Sequence, residues 1–347
     1  MNRALVTGGA GLVGAHLVRQ LAERGVAVRV LDRPDASQVN LDALAVEVVA
    51  GDVRNPAAVA RAVEGCDTVF HLAAIPNLWA ADERHFYAVN TEGTTNVLEA
   101  AAKAGVRRTV YTSTESILAL AREGGVVTEA TQPALEDMVG AYTRSKFLAE
   151  QEAMRRAREG QPVVIVNPTL PVGPGDVNLT PPGRLIVDFL NGRVRAYVSC
   201  TLNCIDARDA AAGHILAAER GRPGERYILG HENLTAPAFF GMLAELSGLK
   251  PPRLHLPYWV GWATAAVMEG IANVITKRPP MACRVGLALA RRTRPFDAGR
   301  AVRELGLSPR PVRQALADAC AWFVRMGWVR QPLPNLALVE RPGGTAP

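Results

Sequence analysis

The chain has 347 residues, 48% hydrophobic and 21% charged, a balance that excludes a disordered or collagen-like polymer and allows one large domain or two coupled lobes. Its formal charge of +6 is uneven: from residue 277 to 330, twelve Lys or Arg stand against Asp297, Glu304 and Asp318. No nucleic-acid-binding signature accompanies this basic stretch, so nucleic acid is not an expected partner.

Strand-like runs at residues 4–7, 26–31, 46–50, 68–72, 109–112 and 163–166 alternate with helical patterns. Alternation of that kind predicts an α/β fold, a doubly wound parallel sheet with helices on both faces. After Pro168 the rhythm breaks into a Pro- and Gly-rich stretch, followed by helices with few strands. The expected organisation is a dinucleotide-binding domain over 1–168 that also receives later C-terminal elements, a smaller substrate-binding lobe over 169–330, and a tail over 331–347, of which 341–347 has a disordered composition. The first run begins at residue 4, which leaves no room for a signal peptide and leads us to expect a cytoplasmic protein. The apolar stretch 256–276 contains Pro257, Glu269 and Asn273, so it reads as a buried or interfacial helix rather than a membrane span. Cys66, Cys200, Cys204, Cys283 and Cys320 fit neither a zinc ribbon nor a redox pair; they read as reduced thiols, and no metal site is expected.

The first strand runs into Thr7-Gly8-Gly9-Ala10-Gly11-Leu12-Val13-Gly14 and then a helical pattern. Gly8, Gly11 and Gly14 in that context suit a tight turn, a close backbone approach to a pyrophosphate, and close helix-to-strand packing, with the amides of Leu12 and Val13 at the helix start. The cofactor is thus NAD or NADP. Asp32, at the end of the second strand, can accept from the adenosine ribose hydroxyls and favours NAD, while Arg33 beside it could pair with the 2′-phosphate of NADP. Asp52 and Val53 follow the third strand, where a carboxylate can reach the adenine amino group. The fourth ends in His71-Leu72-Ala73-Ala74, whose small residues would let backbone at Leu72, Ala73 and Ala74 approach the cofactor, and His71 reads as a buried structural histidine.

The fifth strand ends in Ser113-Thr114, and the next helix opens with Tyr142-Thr143-Arg144-Ser145-Lys146. Residues i and i+4 share a helix face, so the Tyr142 phenol and the Lys146 ammonium point the same way. Hydride transfer to or from a carbinol carbon needs a proton moved on its oxygen, and a nearby lysine cation is expected to lower the phenol's pKa enough for the task. Lys146 can also bond the nicotinamide ribose, and Thr114 can hold the substrate oxygen. The three form the expected catalytic set.

With Gly51-Asp52-Val53, His71-Leu72-Ala73-Ala74 and Asn90-Thr91-Glu92-Gly93-Thr94-Thr95-Asn96, these motifs make the chain resemble the extended short-chain dehydrogenase/reductase family over residues 1 to about 330. Asn167-Pro168-Thr169-Leu170-Pro171-Val172-Gly173-Pro174 is similar to the dihydroflavonol reductases and the group called hopanoid-associated sugar epimerases. The resemblance implies that Asn90, Pro168 and Leu170 join the cofactor site. It also implies a homodimer built on the helices near 83–104 and 142–159, sharing Val89, Val97, Ala101, Phe147 and Met154.

Two departures narrow the chemistry. Thr114 is followed by Glu115 and Ser116 rather than the Asp-Glu pair of sugar dehydratases, which argues against elimination. The sixth strand lacks the arginine usual in nucleotide-sugar epimerases, and Pro76-Asn77-Leu78-Trp79-Ala80-Ala81, with Tyr258, Trp259 and Trp262 later, is apolar where substrate passes. Trp79, Glu115 and Thr169 are the expected substrate contacts. The expected activity is ketone–alcohol interconversion on an apolar, lipid-like small molecule, such as a sphingoid, steroid, polyprenoid or flavonoid-type ketone. The alternatives are epimerisation of a nucleotide- or lipid-linked sugar through transient oxidation, and a cofactor-sensing protein without turnover. A further expectation is peripheral contact with the inner face of a membrane, set against the reading that the aromatics are core and the arginines a solvated rim.

Overall fold

In the computed structural model, which describes residues 1–121 and 125–336, the strand rhythm resolves into a seven-stranded sheet. Its first six strands are β1 (Arg3–Thr7), β2 (Ala27–Asp32), β3 (Glu47–Ala50), β4 (Thr68–His71), β5 (Arg108–Thr112) and β6 (Val163–Pro168). Each lies within two residues of its expected bounds. Three strands then follow outside this sheet: β7 (Leu170–Val172), β8 (Ala196–Tyr197) and β9 (Thr201–Asp206). The chain next returns to the edge of the first sheet as β10 (Arg226–Leu229), parallel to β6. The order β3-β2-β1-β4-β5-β6-β10, parallel throughout, is that of a doubly wound dinucleotide-binding fold.

Helices on both faces bury the strands, which is why β4 and β6 lack polar/apolar alternation and are buried at every residue. Leu12–Glu23 and Ala207–Arg220 pack against each other on one face. Pro56–Val63, Gly93–Lys103 and Gly140–Arg158 cover the other. The reversal of strand order falls between β1 and β4, so the C-terminal ends of β1, β4 and β5 open onto one crevice.

The later residues form a second core. β11 (Glu232–Thr235) pairs antiparallel with β9, β9 pairs parallel with β7, and β12 (Leu254–His255) pairs with β8. Phe189, Phe239, Phe240 and Phe323 from the helices Pro181–Leu190, Ala236–Ser247 and Val312–Arg325 are buried together there. Of the positions expected at a dimer seam, Val97, Ala101 and Phe147 are buried within the protomer, while Val89 and Met154 are half-buried. All five cysteines are free thiols. No described helix is long and apolar enough to cross a membrane. The expected disordered segment 341–347 lies outside the described residues.

Candidate active site

β1 delivers Thr7 to the crevice and Gly8 turns the chain in the left-handed region, at φ +71. A Cβ on Gly8 would lie 2.8 Å from the Ala73 amide nitrogen, and one on Gly14 would lie 2.2 Å from the Gly8 carbonyl oxygen. The turn is thus packed backbone to backbone and opens the helix Leu12–Glu23, whose first turn has no side-chain cap. Amides in that position suit a pyrophosphate. The backbone of Leu72 and Ala73 lies opposite, against Gly8.

His71 secures this junction. The Thr94 hydroxyl spends its proton on the Asn90 carbonyl oxygen at 2.6 Å, so His71 Nε2–H donates to Thr94 at 3.0 Å. His71 Nδ1 then accepts from the Thr7 hydroxyl at 2.7 Å, and Thr7 accepts from the Ala73 amide at 3.2 Å. Burial lowers the imidazole to about 3, so it stays neutral. Asn90, on the π-helical turn Tyr87–Glu92, accepts from the Ile75 amide at 2.8 Å and donates to Ser145 Oγ at 3.1 Å. It braces the loop after β4 against the Tyr142 helix.

Asp32 accepts from the Ala10 amide and from the Arg33 amide, both at 3.0 Å, which fixes its carboxylate beside the Gly-rich turn. The Arg33 guanidinium turns to Asp35 at 3.5 Å. Asp52 is gripped by Arg54, whose Nε lies 3.0 Å from both carboxylate oxygens and whose Nη2 donates to Oδ2 at 2.7 Å, so its pKa falls below the usual carboxylate value. Val53 is buried against Gly93, where a Cβ would meet it at 2.7 Å.

Thr114 leaves β5 and caps the short helix Glu115–Ala119, accepting from the Ser116 amide at 3.2 Å. Its hydroxyl donates to Glu115 Oε2 at 2.8 Å, and the Ser116 hydroxyl reaches the same oxygen at 3.3 Å. Burial raises the Glu115 pKa. Tyr142, buried at the start of its helix, meets Phe86 edge-on with ring centroids 6.3 Å apart. Ile75, Leu78, Ala80 and Tyr87 pack around this pair, giving the phenol an apolar surround on the side where substrate was expected. Trp79 lies further out, its indole N–H donating to Asn273 Oδ1 at 3.0 Å.

The electrostatics correct one expectation. Burial and then the Glu115 carboxylate raise the Tyr142 phenol above its ordinary value, against the Thr114 hydroxyl, which lowers it. Lys146 does not offset this. Its ammonium donates to the Thr112 carbonyl oxygen at 2.7 Å, lies 4.8 Å from the Tyr111 ring centroid, and is lowered by burial to about 7, with Glu150 acting in the opposite sense. The phenol therefore carries its proton at neutral pH.

Three site residues escaped the sequence reading. Glu150, one turn beyond Lys146, forms a buried ion pair with Arg226 of β10 at 2.8 Å. Asn167 donates to Glu150 Oε2 at 2.9 Å and to the Thr114 carbonyl oxygen at 3.1 Å. Glu150 was detectable as an acid on the same helix face as Tyr142 and Lys146; Asn167 and Arg226 carried no such signal. Pro168 and Leu170 follow Asn167 at the sheet edge, and the buried Thr169 gives its hydroxyl to the Leu229 carbonyl oxygen at 3.3 Å. Among the described residues no group of three or more His, Cys, Asp or Glu could hold a metal ion.

The model of the NAD dependent epimerase/dehydratase family matches residues 4–230. A protein from Synechocystis sp., provisionally named a dihydroflavonol 4-reductase, is 42% identical over 94% of this chain and 95% of its own. Sterol demethylase protein B from Methylococcus capsulatus is 35% identical over 94% of this chain and 99% of its own. Among solved structures, the dTDP-glucose 4,6-dehydratase DesIV from Streptomyces venezuelae, with NAD and TYD bound, superimposes with a TM-score of 0.76 at 26% identity, covering 94% and 99% of the two chains. With its sheet order, Gly-rich turn and Tyr142–Lys146 helix, the chain belongs to the NAD dependent epimerase/dehydratase family of extended short-chain dehydrogenases/reductases and is an NAD(P)-dependent enzyme.

Proposed function

We propose that the protein reduces a ketone to a secondary alcohol on an apolar substrate. The observation that carries this reading is the setting of Tyr142: a protonated phenol whose pKa burial and Glu115 push further up, in a surround of Phe86, Ile75, Leu78, Ala80 and Tyr87. A protonated phenol is a donor, which suits reduction; oxidation would need the phenolate. The apolar wall suits a greasy ketone better than a sugar diphosphate. The names of the Synechocystis and Methylococcus relatives, a reductase and a sterol-processing protein, agree with both halves of the reading.

The nicotinamide supplies the hydride when bound. The turn from Gly8 to Gly14 would hold its pyrophosphate, Asp32 the adenosine ribose, and Lys146 the nicotinamide ribose. Tyr142 gives its proton to the carbonyl oxygen as charge develops there. Thr114, beside the phenol, gives its hydroxyl proton to Glu115 and acts to lower the phenol's pKa against burial and the Glu115 charge. The Lys146 bond to the Thr112 carbonyl and the Glu150–Arg226–Asn167 network fix the catalytic helix against β5 and β6. A carboxylate at Asp32, with Arg33 turned away to Asp35, favours NAD over NADP.

The test is stoichiometry. Incubated with NADH and a panel of sphingoid, sterol and polyprenoid ketones, the enzyme consumes one NADH per alcohol formed. Turnover of a nucleotide sugar with no net change in nicotinamide absorbance would replace this reading with epimerisation.

A further inference from the structure

The helix Tyr258–Ile271, with its continuation Ala272–Thr276, is held to the protein by a single narrow line of side chains. Gly261, Ala265, Glu269 and Ala272 are buried, at spacings of four, four and three residues. The opposite arc is apolar and exposed: Trp259 at 73%, Trp262 at 46%, Val267 at 64%, Ile271 at 44%, Val274 at 77% and Ile275 at 74%. From residue 258 to 276 the one charged side chain is Glu269, buried and paired with Arg284. A solvated helix places charges on its outer face; here that face carries none. The reading in which these aromatics are core is therefore corrected.

Charge is concentrated around this arc. From residue 250 to 294 there are eight Lys or Arg (Lys250, Arg253, Lys277, Arg278, Arg284, Arg291, Arg292 and Arg294) against Glu269 alone. Lys250 and Arg253 precede the helix, and Lys277 and Arg278 follow it; all four are exposed. Tyr258 at the helix start lies under Arg291, with its ring centroid 4.7 Å from the guanidinium carbon. A two-fold pair of these surfaces would set cations against cations, which disfavours a second copy as the occupant. A tryptophan-rich apolar arc rimmed by cations matches an anionic bilayer surface.

We propose that the exposed arc of residues 259–275 docks the enzyme on anionic lipid, with Trp259, Trp262, Val274 and Ile275 entering the headgroup boundary and Lys277 and Arg278 meeting lipid phosphates. The placement also opens a route to Tyr142. Trp79 is bonded to Asn273 of the docking helix. On the adjoining helix Arg284–Arg292, Val285 packs over Gly140, where a Cβ would meet it at 2.5 Å, and Gly286 faces Leu78, where a Cβ would meet its Cδ1 at 3.4 Å. Trp79 and Leu78 thus link the docking helix to the apolar surround of the phenol, the side from which the proposal has an apolar ketone enter. This role rests on the proposed apolar substrate, but the docking itself can be tested without turnover.

The experiment sediments the full chain with neutral phosphatidylcholine vesicles and with vesicles that also carry phosphatidylglycerol, at low and high salt. Val274→Glu/Ile275→Glu and Lys277→Gln/Arg278→Gln variants are run beside it. The proposal expects binding to anionic vesicles at low salt, weakened at high salt, with the glutamate pair abolishing it. Each removed cation weakens it by about fivefold. NADH affinity and the thermal midpoint, unchanged in both variants, certify the fold. Absence of wild-type binding to anionic vesicles at low salt overturns the docking and leaves the reductase reading standing. A wild-type dimer that the glutamate pair turns into a monomer also overturns it, by assigning the arc to a second copy.

Discussion

The crevice at the ends of β1, β4 and β5 and the helix over residues 258–276 solve opposite problems. In the crevice, buried polar side chains are held by named partners, among them His71 between Thr7 and Thr94, Asn90 between Ile75 and Ser145, and the Asn167 amide nitrogen between Thr114 and Glu150. Around the second helix, apolar side chains are exposed and have no such partners on their outer arc. A buried polar group left unpaired costs about 1–3 kcal/mol, so the first region tolerates almost no substitution of its pattern. An exposed apolar arc carries little folding energy, so the second can change without loss of the fold. Rigidity suits the chemistry proposed for the crevice, and the exposed apolar arc suits the docking proposed for it.

The sharpest way to break this contrast is at the Gly-rich turn. Gly14→Val puts a Cβ where only 2.2 Å separates it from the Gly8 carbonyl oxygen, so the turn must open; NAD affinity should fall by about a hundredfold or more by calorimetry while the second core stays folded. Retained affinity would show that the amides do not hold the pyrophosphate. Next in size, Lys146→Met removes the bond to the Thr112 carbonyl and the expected contact to ribose, and should lower kcat/KM by about tenfold or more. It should also flatten a pH dependence. Folding strips the buried ammonium of its proton at a pH where the unfolded chain, with its pKa at 10.5, still binds one. The wild-type protein therefore gains stability between about pH 7 and the unfolded lysine value, and the methionine variant lacks that gain.

A smaller effect is expected at Asp32→Ala, which should weaken NAD and improve NADP relative to it by about tenfold, read by titrating both cofactors. An unchanged ratio would remove Asp32 from the ribose site. Smallest is Glu115→Gln. Loss of its charge should let the Tyr142 phenol ionise at lower pH than in wild type, visible as earlier phenolate absorbance against a Tyr142→Phe blank. No shift would mean that Glu115 is not the charge that holds the proton on Tyr142.

Much of the first region was legible because its residues are constrained by local rules. Glycines must sit where a Cβ would strike backbone, strand ends must point into the crevice, and i, i+4 spacing must place Tyr142 and Lys146 on one face. What failed was the inference from proximity to charge: Lys146 shares a face with Tyr142, yet its ammonium turns to the Thr112 carbonyl, and burial dominates the phenol. The partners of Glu150 were hidden because Arg226 arrives from a strand 76 positions further along the chain, and no spacing rule spans a sheet edge. The exposure of Trp259 and Trp262 was hidden for a related reason. An apolar helix reads the same in sequence whether protein or another surface covers it.

The central claim is that Tyr142 is the proton donor for ketone reduction. It is tested most directly by the single-turnover rate of hydride transfer from NADH to a ketone substrate in the wild-type enzyme and in Tyr142→Phe, with NADH affinity measured on the same samples. The phenylalanine keeps the ring against Phe86 and removes only the acidic proton. The rate should fall by about a hundredfold or more while NADH affinity stays within about twofold. A phenylalanine variant that transfers hydride at nearly the wild-type rate would contradict the account.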